Sequence, residues 1–226
     1  LRNPLLADYG VATWKSFSCA ITDNGVECWG NGGNDKLNAP ALNRPRKIGV
    51  GFQHACVLDE VPEGNEVVCW GWNGNGETEV PELSNPFELS VGSQSSCAID
   101  DTGVKCWGWG ANGETAVPEL INPTKLASGE QNHCALHDGG VSCWGFNANG
   151  ESSPPADLSE VSVFDAGVFS GCAANKSGAR CWGFLAEEEI PTLDRPFAIG
   201  VGINFACALD RSGLNCWGPR NVYQQQ

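Results

Sequence analysis

The sequence has few basic residues and no long apolar runs. It contains 13 Lys and Arg against 27 Asp and Glu, which gives a net charge of −14. A surface of this sign repels nucleic acid and anionic lipid and favours a basic partner. No stretch approaches the roughly 20 apolar residues of a membrane helix. We therefore expect neither nucleic-acid binding nor membrane insertion.

Signals of catalysis or metal binding are also scarce. The three histidines, His54, His133 and His137, lie in no recognisable nucleophile or metal motif. The Cys-x-x-Cys spacing that zinc sites favour does not occur. Asn-Gly-Glu turns such as residues 75–77 lack the dense ligands of a calcium loop. We predict a protein that is not an enzyme and that holds no metal and no cofactor.

The cysteines fall into regular pairs, which indicate disulfides formed in an oxidising compartment. The twelve cysteines are Cys19 and Cys28, Cys56 and Cys69, Cys97 and Cys106, Cys134 and Cys143, Cys172 and Cys181, and Cys207 and Cys216. The protein is therefore expected to be secreted or on the cell surface, with a periplasm as the alternative.

The second cysteine of every pair opens a Cys-Trp-Gly triplet and reveals an internal repeat. These triplets begin at residues 28, 69, 106, 143, 181 and 216, so six units of about 38 residues fill the chain. This period is close to that of propeller blades. We expect one domain over residues 1–226.

The third unit predicts the strands of one blade. Alternation predicts strands at 87–92, 96–100 and 104–108, and Pro118 confines a short fourth strand at 114–118 to an edge. Four strands in under 40 residues are typical of a propeller blade. The predicted fold is an all-β propeller of six four-stranded blades, and an incomplete seven-bladed propeller is the alternative. We also expect the N-terminal and C-terminal segments to pair and close the ring, because closure removes exposed sheet edges.

The sequence separation of the two cysteines in each pair favours one disulfide within each blade. Five pairs are separated by 9 residues, and Cys56 and Cys69 by 13. An even lengthening of an antiparallel hairpin keeps both cysteines on the same face. Pairing between blades remains the alternative.

The run at residues 129–151 resembles the repeat of the regulator of chromosome condensation family. It has an Ala-Leu strand, an Asp-Gly hairpin, a Trp-Gly strand end and an Asn-x-x-Gly turn. The cysteine-paired form is similar to repeats in exported bacterial proteins and in Crinkly-type receptor ectodomains of plants. The resemblance covers nearly the whole chain and implies a ring whose loops bind another macromolecule. Two features depart from it, since well-known members have seven blades and Trp14 replaces a glycine that the other five units share.

Aromatic residues form the first candidate binding site. The tryptophan of each Cys-Trp-Gly triplet is expected to pack blade against blade rather than to line a sugar pocket. Two residues later, only four consecutive units carry an aromatic, namely Trp72, Trp109, Phe146 and Phe184. Packing that the fold demands would recur in all six units. We predict that this aromatic arc binds a partner, with ordinary packing as the alternative.

Variable loops between the first and second strands form the second candidate. They carry Phe52, Phe169 and Phe205, whose exposure would be costly without a use, although they could instead fill the central channel. Glutamates near the predicted fourth strands, including Glu77, Glu114 and Glu151, are expected to form a solvated rim.

Together these features predict a secreted binding module of inhibitor, receptor or adhesin type. Its predicted partner is a protein. A carbohydrate-binding propeller and a structural subunit of an extracellular complex are the alternatives.

Overall fold

Each repeat folds into three consecutive antiparallel strands in the computed structural model, which describes residues 10–219. Blades one to three comprise β1 (Val11–Trp14), β2 (Phe17–Thr22) and β3 (Gly25–Gly30), then β4 (Pro45–Val50), β5 (His54–Val61) and β6 (Gly64–Gly71), then β7 (Glu88–Val91), β8 (Ser95–Asp100) and β9 (Gly103–Gly108). Blades four to six comprise β10 (Lys125–Ser128), β11 (Asn132–His137) and β12 (Gly140–Gly145), then β13 (Val163–Ala166), β14 (Ser170–Asn175) and β15 (Gly178–Gly183), then β16 (Ala198–Val201), β17 (Ala206–Asp210) and β18 (Gly213–Trp217). A short 3-10 turn at Gly33–Asp35 follows the first blade.

The disulfides join the second and third strands within each blade, as predicted. In every blade the two cysteines lie directly opposite each other in the strand register. All twelve cysteines are paired, and none is free. The longer hairpin of blade two, with a separation of 13 residues, keeps this register because its insertion is even.

The predicted fourth strand is wrong, because residues 114–118 form a turn and an irregular crossover. The Glu114 carboxylate folds back onto Asn112, and the Ala116 N–H donates to the Gly113 carbonyl at 3.0 Å. Pro118 has no N–H with which to continue a ladder. Val117 and Leu120 instead pack into the core between blades three and four.

The triplet tryptophans form the contacts between blades. Five of them are only 2–8% exposed, namely Trp70, Trp107, Trp144, Trp182 and Trp217. The indole Nε1 of the first four donates to a backbone carbonyl of the preceding blade at 2.9–3.1 Å. Trp29 is 52% exposed, because no blade packs on its side among the described residues. Packing of blade against blade is therefore confirmed for five tryptophans and wrong for Trp29.

Glycine at the end of the first strand lets the backbones of neighbouring blades approach closely. A Cβ on Gly129 would lie 2.0 Å from the Gly167 carbonyl oxygen of the next blade, and one on Gly51 would lie 2.4 Å from the Gly92 oxygen. These distances leave no room for a side chain. In the first blade, Trp14 takes this position and pairs with Phe17 across a tight hairpin turn.

Closure of the ring is not found within residues 10–219. Consecutive blades pack side by side along the chain, but no comparable packing joins the sixth blade to the first. Val11 and Trp29 of the first blade and Leu209 and Leu214 of the sixth are correspondingly exposed. The predicted pairing of the chain ends involves residues that lie outside the described range.

Candidate binding face

One end of every blade carries both predicted binding elements, and we call this end the loop face. A left-handed glycine such as Gly71 ends each third strand and turns the chain back over the loop between the first two strands. The backbone N–H of Trp72 then donates to the Gln53 carbonyl at 2.8 Å, and that of Trp109 donates to the Gln94 carbonyl at the same distance. The aromatic arc therefore lies beside the variable loops on one face.

The arc is largely open to solvent. Trp72 is 43% exposed, Trp109 37% and Phe184 57%, whereas Phe146 is half-buried. Their counterparts in the outer blades are Asn31 and Pro219, so the fold itself does not require an aromatic here. The loop residues add to this surface, since Phe52 and Phe205 are exposed. The Phe169 ring meets the Phe184 ring edge to face, with centroids 5.6 Å apart.

Two clefts of the same design open onto the loop face between neighbouring blades. The first, about 290 Å³, lies between blades two and three, and its lining includes Phe52, Trp72, His54 and Gln94. The second, about 280 Å³, lies between blades four and five, and is lined by Glu130, Gln131, Asn132, Phe146, Glu151, Val168 and Phe169. Each cleft joins an arc residue to a loop of the next blade.

Polar residues of these clefts were not among the predicted site residues. Gln53, Gln94 and Gln131 occupy the same position, three residues before the first cysteine, in three consecutive blades. All three are half-buried on the loop face. An alignment of the six repeats against one another carries this signal, because glutamine is the one residue type that recurs at that position.

Three of the glutamates expected on a solvated rim are buried, so the prediction is wrong for Glu77, Glu114 and Glu151. Glu114 accepts the backbone N–H and the side-chain amide of Asn112, both at 2.9 Å. Its own carbonyl accepts the Trp144 indole. The Asn-Gly-Glu turn thus fastens one blade to the next, and Asn112 donates to both oxygens of its carboxylate.

The buried histidines have structural partners. His133 Nε2 lies 2.8 Å from Ser95 Oγ, and its Nδ1 lies 2.7 Å from Ser128 Oγ. Burial lowers the pKa of His133 to about 3. Burial likewise lowers the pKa of His54 to about 4, and its Nε2 lies 2.9 Å from Ser96 Oγ. Both rings are neutral near pH 7 and hold adjacent blades together.

An ion pair spans the ring on the loop face. Lys15 Nζ of blade one lies 2.6 Å from Glu130 Oε1 of blade four.

Within residues 10–219, no cluster of three or more potential ligands is arranged to hold a metal ion. No helix in that range is long and apolar enough to cross a membrane.

Comparison by sequence finds no family model and no curated protein that matches the chain. Solved structures do match. The Crinkly WD40 ectodomain of the Arabidopsis thaliana receptor kinase ACR4 is 26% identical with a TM-score of 0.70, and the match covers 93% of this chain and 79% of that one. The chain is a disulfide-bonded β-propeller. The predicted resemblance to Crinkly-type ectodomains is confirmed.

Two further propellers extend the comparison. The ectodomain of the Physcomitrella patens receptor kinase CR4 is 25% identical with a TM-score of 0.71 over 90% of this chain, which spans 59% of that ectodomain. Prp20p of Saccharomyces cerevisiae, a yeast RCC1 protein, shares 14% identity with a TM-score of 0.73, covering 92% of this propeller and 71% of Prp20p. At that identity the likeness to Prp20p shows the fold alone. The six disulfides and the ectodomain neighbours both suggest an extracellular protein.

Proposed function

We propose that this propeller is a secreted binding module whose loop face engages a protein partner. The observation that carries the proposal is the aromatic arc, which is exposed on the same face as the variable loops. Trp72, Trp109 and Phe184 expose large apolar surfaces to water. Blades one and six have no aromatic residue at the same position. Exposed apolar patches of this kind mark interaction sites in soluble proteins.

The chemistry of the arc suits a protein interface. Aromatic anchors surrounded by polar groups commonly carry most of the binding free energy between proteins. Here Gln53 and Gln94 line one cleft together with Trp72, and Gln131 lines the other together with Phe146, so side-chain amides with donors and acceptors accompany the rings. Disulfides in all six blades hold the scaffold beneath the loops, which limits the ordering cost on binding.

The structural neighbours support a binding role. Two are ectodomains of plant receptor kinases, and the structure of Prp20p is described together with its binding to Gsp1p and histones. A propeller of this fold can therefore serve as a binding scaffold, although the fold does not identify the partner.

A glycan is the second candidate ligand. Exposed indole rings beside glutamine amides are also features that bind sugars. The apolar face of a sugar ring stacks on an indole ring, and the sugar hydroxyl groups form hydrogen bonds with the amides. A role as a structural subunit would require neither the exposed indole rings nor the glutamine amides.

An array of extracellular proteins, probed beside a glycan array, separates these classes. We expect the wild-type propeller to bind a protein on the first array and the variant carrying Trp72→Ala and Trp109→Ala to lose that signal. Signals confined to the glycan array would replace the proposal with the glycan candidate. Protein signals that survive in the double variant would show that the arc is not the binding site.

A further inference from the structure

We propose that the cleft between blades four and five receives an arginine side chain of the partner. This inference rests on the proposed function and specifies the chemistry of the partner. Two carboxylates, Glu130 and Glu151, and two aromatic rings, Phe146 and Phe169, line this cleft. Among the described residues, none of those that line it is basic.

Asn132, one of the residues that line the cleft, carries a buried hydrogen-bond acceptor that has no partner within residues 10–219. Asn132 is 1% exposed, and its Oδ1 makes no hydrogen bond with any described residue. Its Nδ2 is already used, donating to the Glu151 carbonyl at 3.3 Å. An acceptor buried in this way costs free energy until a donor reaches it. The ligand of this cleft should therefore bring an N–H or O–H group.

The rim carries a carboxylate with acceptor capacity to spare. Glu130 Oε1 binds Lys15 at 2.6 Å. An ionised carboxylate has about four lone-pair sites, so Oε2 can accept from a second cation. The Glu151 carboxylate accepts the Asn149 N–H on one oxygen and the Asn149 side-chain amide on the other, and the residue is 1% exposed, so it contributes negative potential rather than a contact.

The walls favour a planar cation over a compact one. The face of an aromatic ring carries negative charge density and attracts cations, most often those of arginine. A guanidinium group also stacks flat on a ring and is less strongly hydrated than an ammonium group. Phe146 of blade four and Phe169 of blade five both line the cleft and supply such rings. The net charge of −14 attracts a basic partner towards the propeller as a whole.

The cleft between blades two and three provides an internal comparison. It has the same architecture, but Phe52 replaces Glu130, and the counterpart of Asn132 is His54, whose Nε2 already pairs with Ser96. It lacks both the rim carboxylate and the unpaired acceptor. We therefore expect arginine to bind at the cleft between blades four and five and not at this one.

The test is an NMR titration of the ¹⁵N-labelled propeller with the peptide acetyl-Gly-Ser-Arg-Ser-Gly-amide. Peptides with lysine or glutamate in place of arginine serve as comparisons. The arginine peptide should shift the side-chain amide signals of Asn132 and Gln131 and leave Gln53 and Gln94 unmoved. The lysine peptide should bind more weakly, and the glutamate peptide should cause no shift.

Substitutions then assign the contacts. Glu130→Gln, Phe169→Leu and Asn132→Ser should each raise the Kd of the arginine peptide, by up to about tenfold for a desolvated contact. Serine occupies the position of Asn132 in blades three and five, and leucine keeps the apolar volume, so the fold should survive. Glu189→Gln removes an equal charge from an exposed site outside the cleft and should leave the Kd unchanged.

The inference is overturned if the arginine peptide does not shift Asn132, or if the glutamate peptide shifts it equally. Equal weakening by Glu130→Gln and Glu189→Gln would also overturn it, because general attraction to an acidic protein would then explain the binding. Neither result affects the proposed function, since Trp72 and Trp109 lie outside this cleft and are tested separately on the arrays.

Discussion

Replacing Trp144 with alanine should destabilise the propeller far more than the same substitution at Trp29. The two tryptophans occupy the same position in their repeats, but Trp144 is almost fully buried and Trp29 is about half exposed. Trp144 packs with Ile99 and Leu126, and its indole donates to the Glu114 carbonyl at 2.9 Å. Trp29 lies on the open side of the first blade.

The magnitudes follow from burial. Truncation of a buried tryptophan to alanine costs about 3–5 kcal/mol, because apolar contacts are lost and a cavity remains. At Trp29 only about half of the transfer free energy is at stake, and water can fill the space, so we expect about 1–2 kcal/mol. For a domain of this size, the melting temperature should fall by about 2–4 °C per kcal/mol.

Circular dichroism during thermal and guanidinium unfolding, without reductant, measures both changes. Trp182→Ala serves as a second buried control, since that tryptophan is only 2% exposed. The comparison is between variants of one protein, so errors in extrapolation largely cancel. If Trp29→Ala proves as costly as Trp144→Ala, the Trp29 side of the first blade is covered in solution, and the account of an exposed Trp29 is wrong.

Three further predictions concern the blades themselves. Gly129→Ala should lower the free energy of unfolding by about 2 kcal/mol or more, because the added Cβ overpacks the contact between blades. Gly200→Ala should change it by under about 1 kcal/mol, since a Cβ at Gly200 meets nothing within 4 Å. Chemical denaturation of both variants checks this, and equal losses would contradict the close approach of the blades. Folding lowers the pKa of His133 from 6.5 to about 3, so as the pH falls this histidine is protonated in the unfolded chain before it is protonated in the folded protein. The contribution of the neutral His133 to stability is therefore present above pH 6.5 and is lost as the pH falls towards 3. Between pH 7 and pH 5 the free energy of unfolding should fall by about 2 kcal/mol more in the wild type than in His133→Asn, and identical slopes would refute a buried neutral ring. Thiol titration of the unfolded, unreduced protein should find no free thiol among the twelve cysteines, and peptide mapping that joins different blades would contradict the assigned pairs.

The strands and disulfides could be predicted because they depend on local spacing. Paired cysteines in a hairpin fix the register, and register fixes the face of every side chain along the two strands. The insertion in blade two preserved the Cys56–Cys69 bridge for the same reason. The strand at 104–108 lies at Gly103–Gly108, within one residue of its predicted start.

The errors came from features that depend on contacts between blades. Residues 114–118 have strand-like alternation, but the Glu114 carboxylate turns inward to satisfy Asn112, and a local pattern does not reveal that partner. Trp29 has the same sequence context as Trp144 and a different environment, since its burial depends on a neighbouring blade. The polar clefts follow from the juxtaposition of two repeats, which the sequence of one repeat does not contain.

The central claim is that the aromatic arc on the loop face anchors a protein partner. The direct test is the Kd of the partner identified on the protein array, measured for the wild type and two double variants. Trp72→Ala with Trp109→Ala should weaken binding by well over tenfold, because buried aromatic anchors commonly contribute about 2 kcal/mol or more each. Phe87→Ala with Phe197→Ala removes exposed aromatics that directly precede first strands, at the opposite end of the blades, and should leave the Kd unchanged. An unchanged Kd in the Trp72 and Trp109 variant, with its melting temperature lowered, would place those rings in the core and contradict the claim.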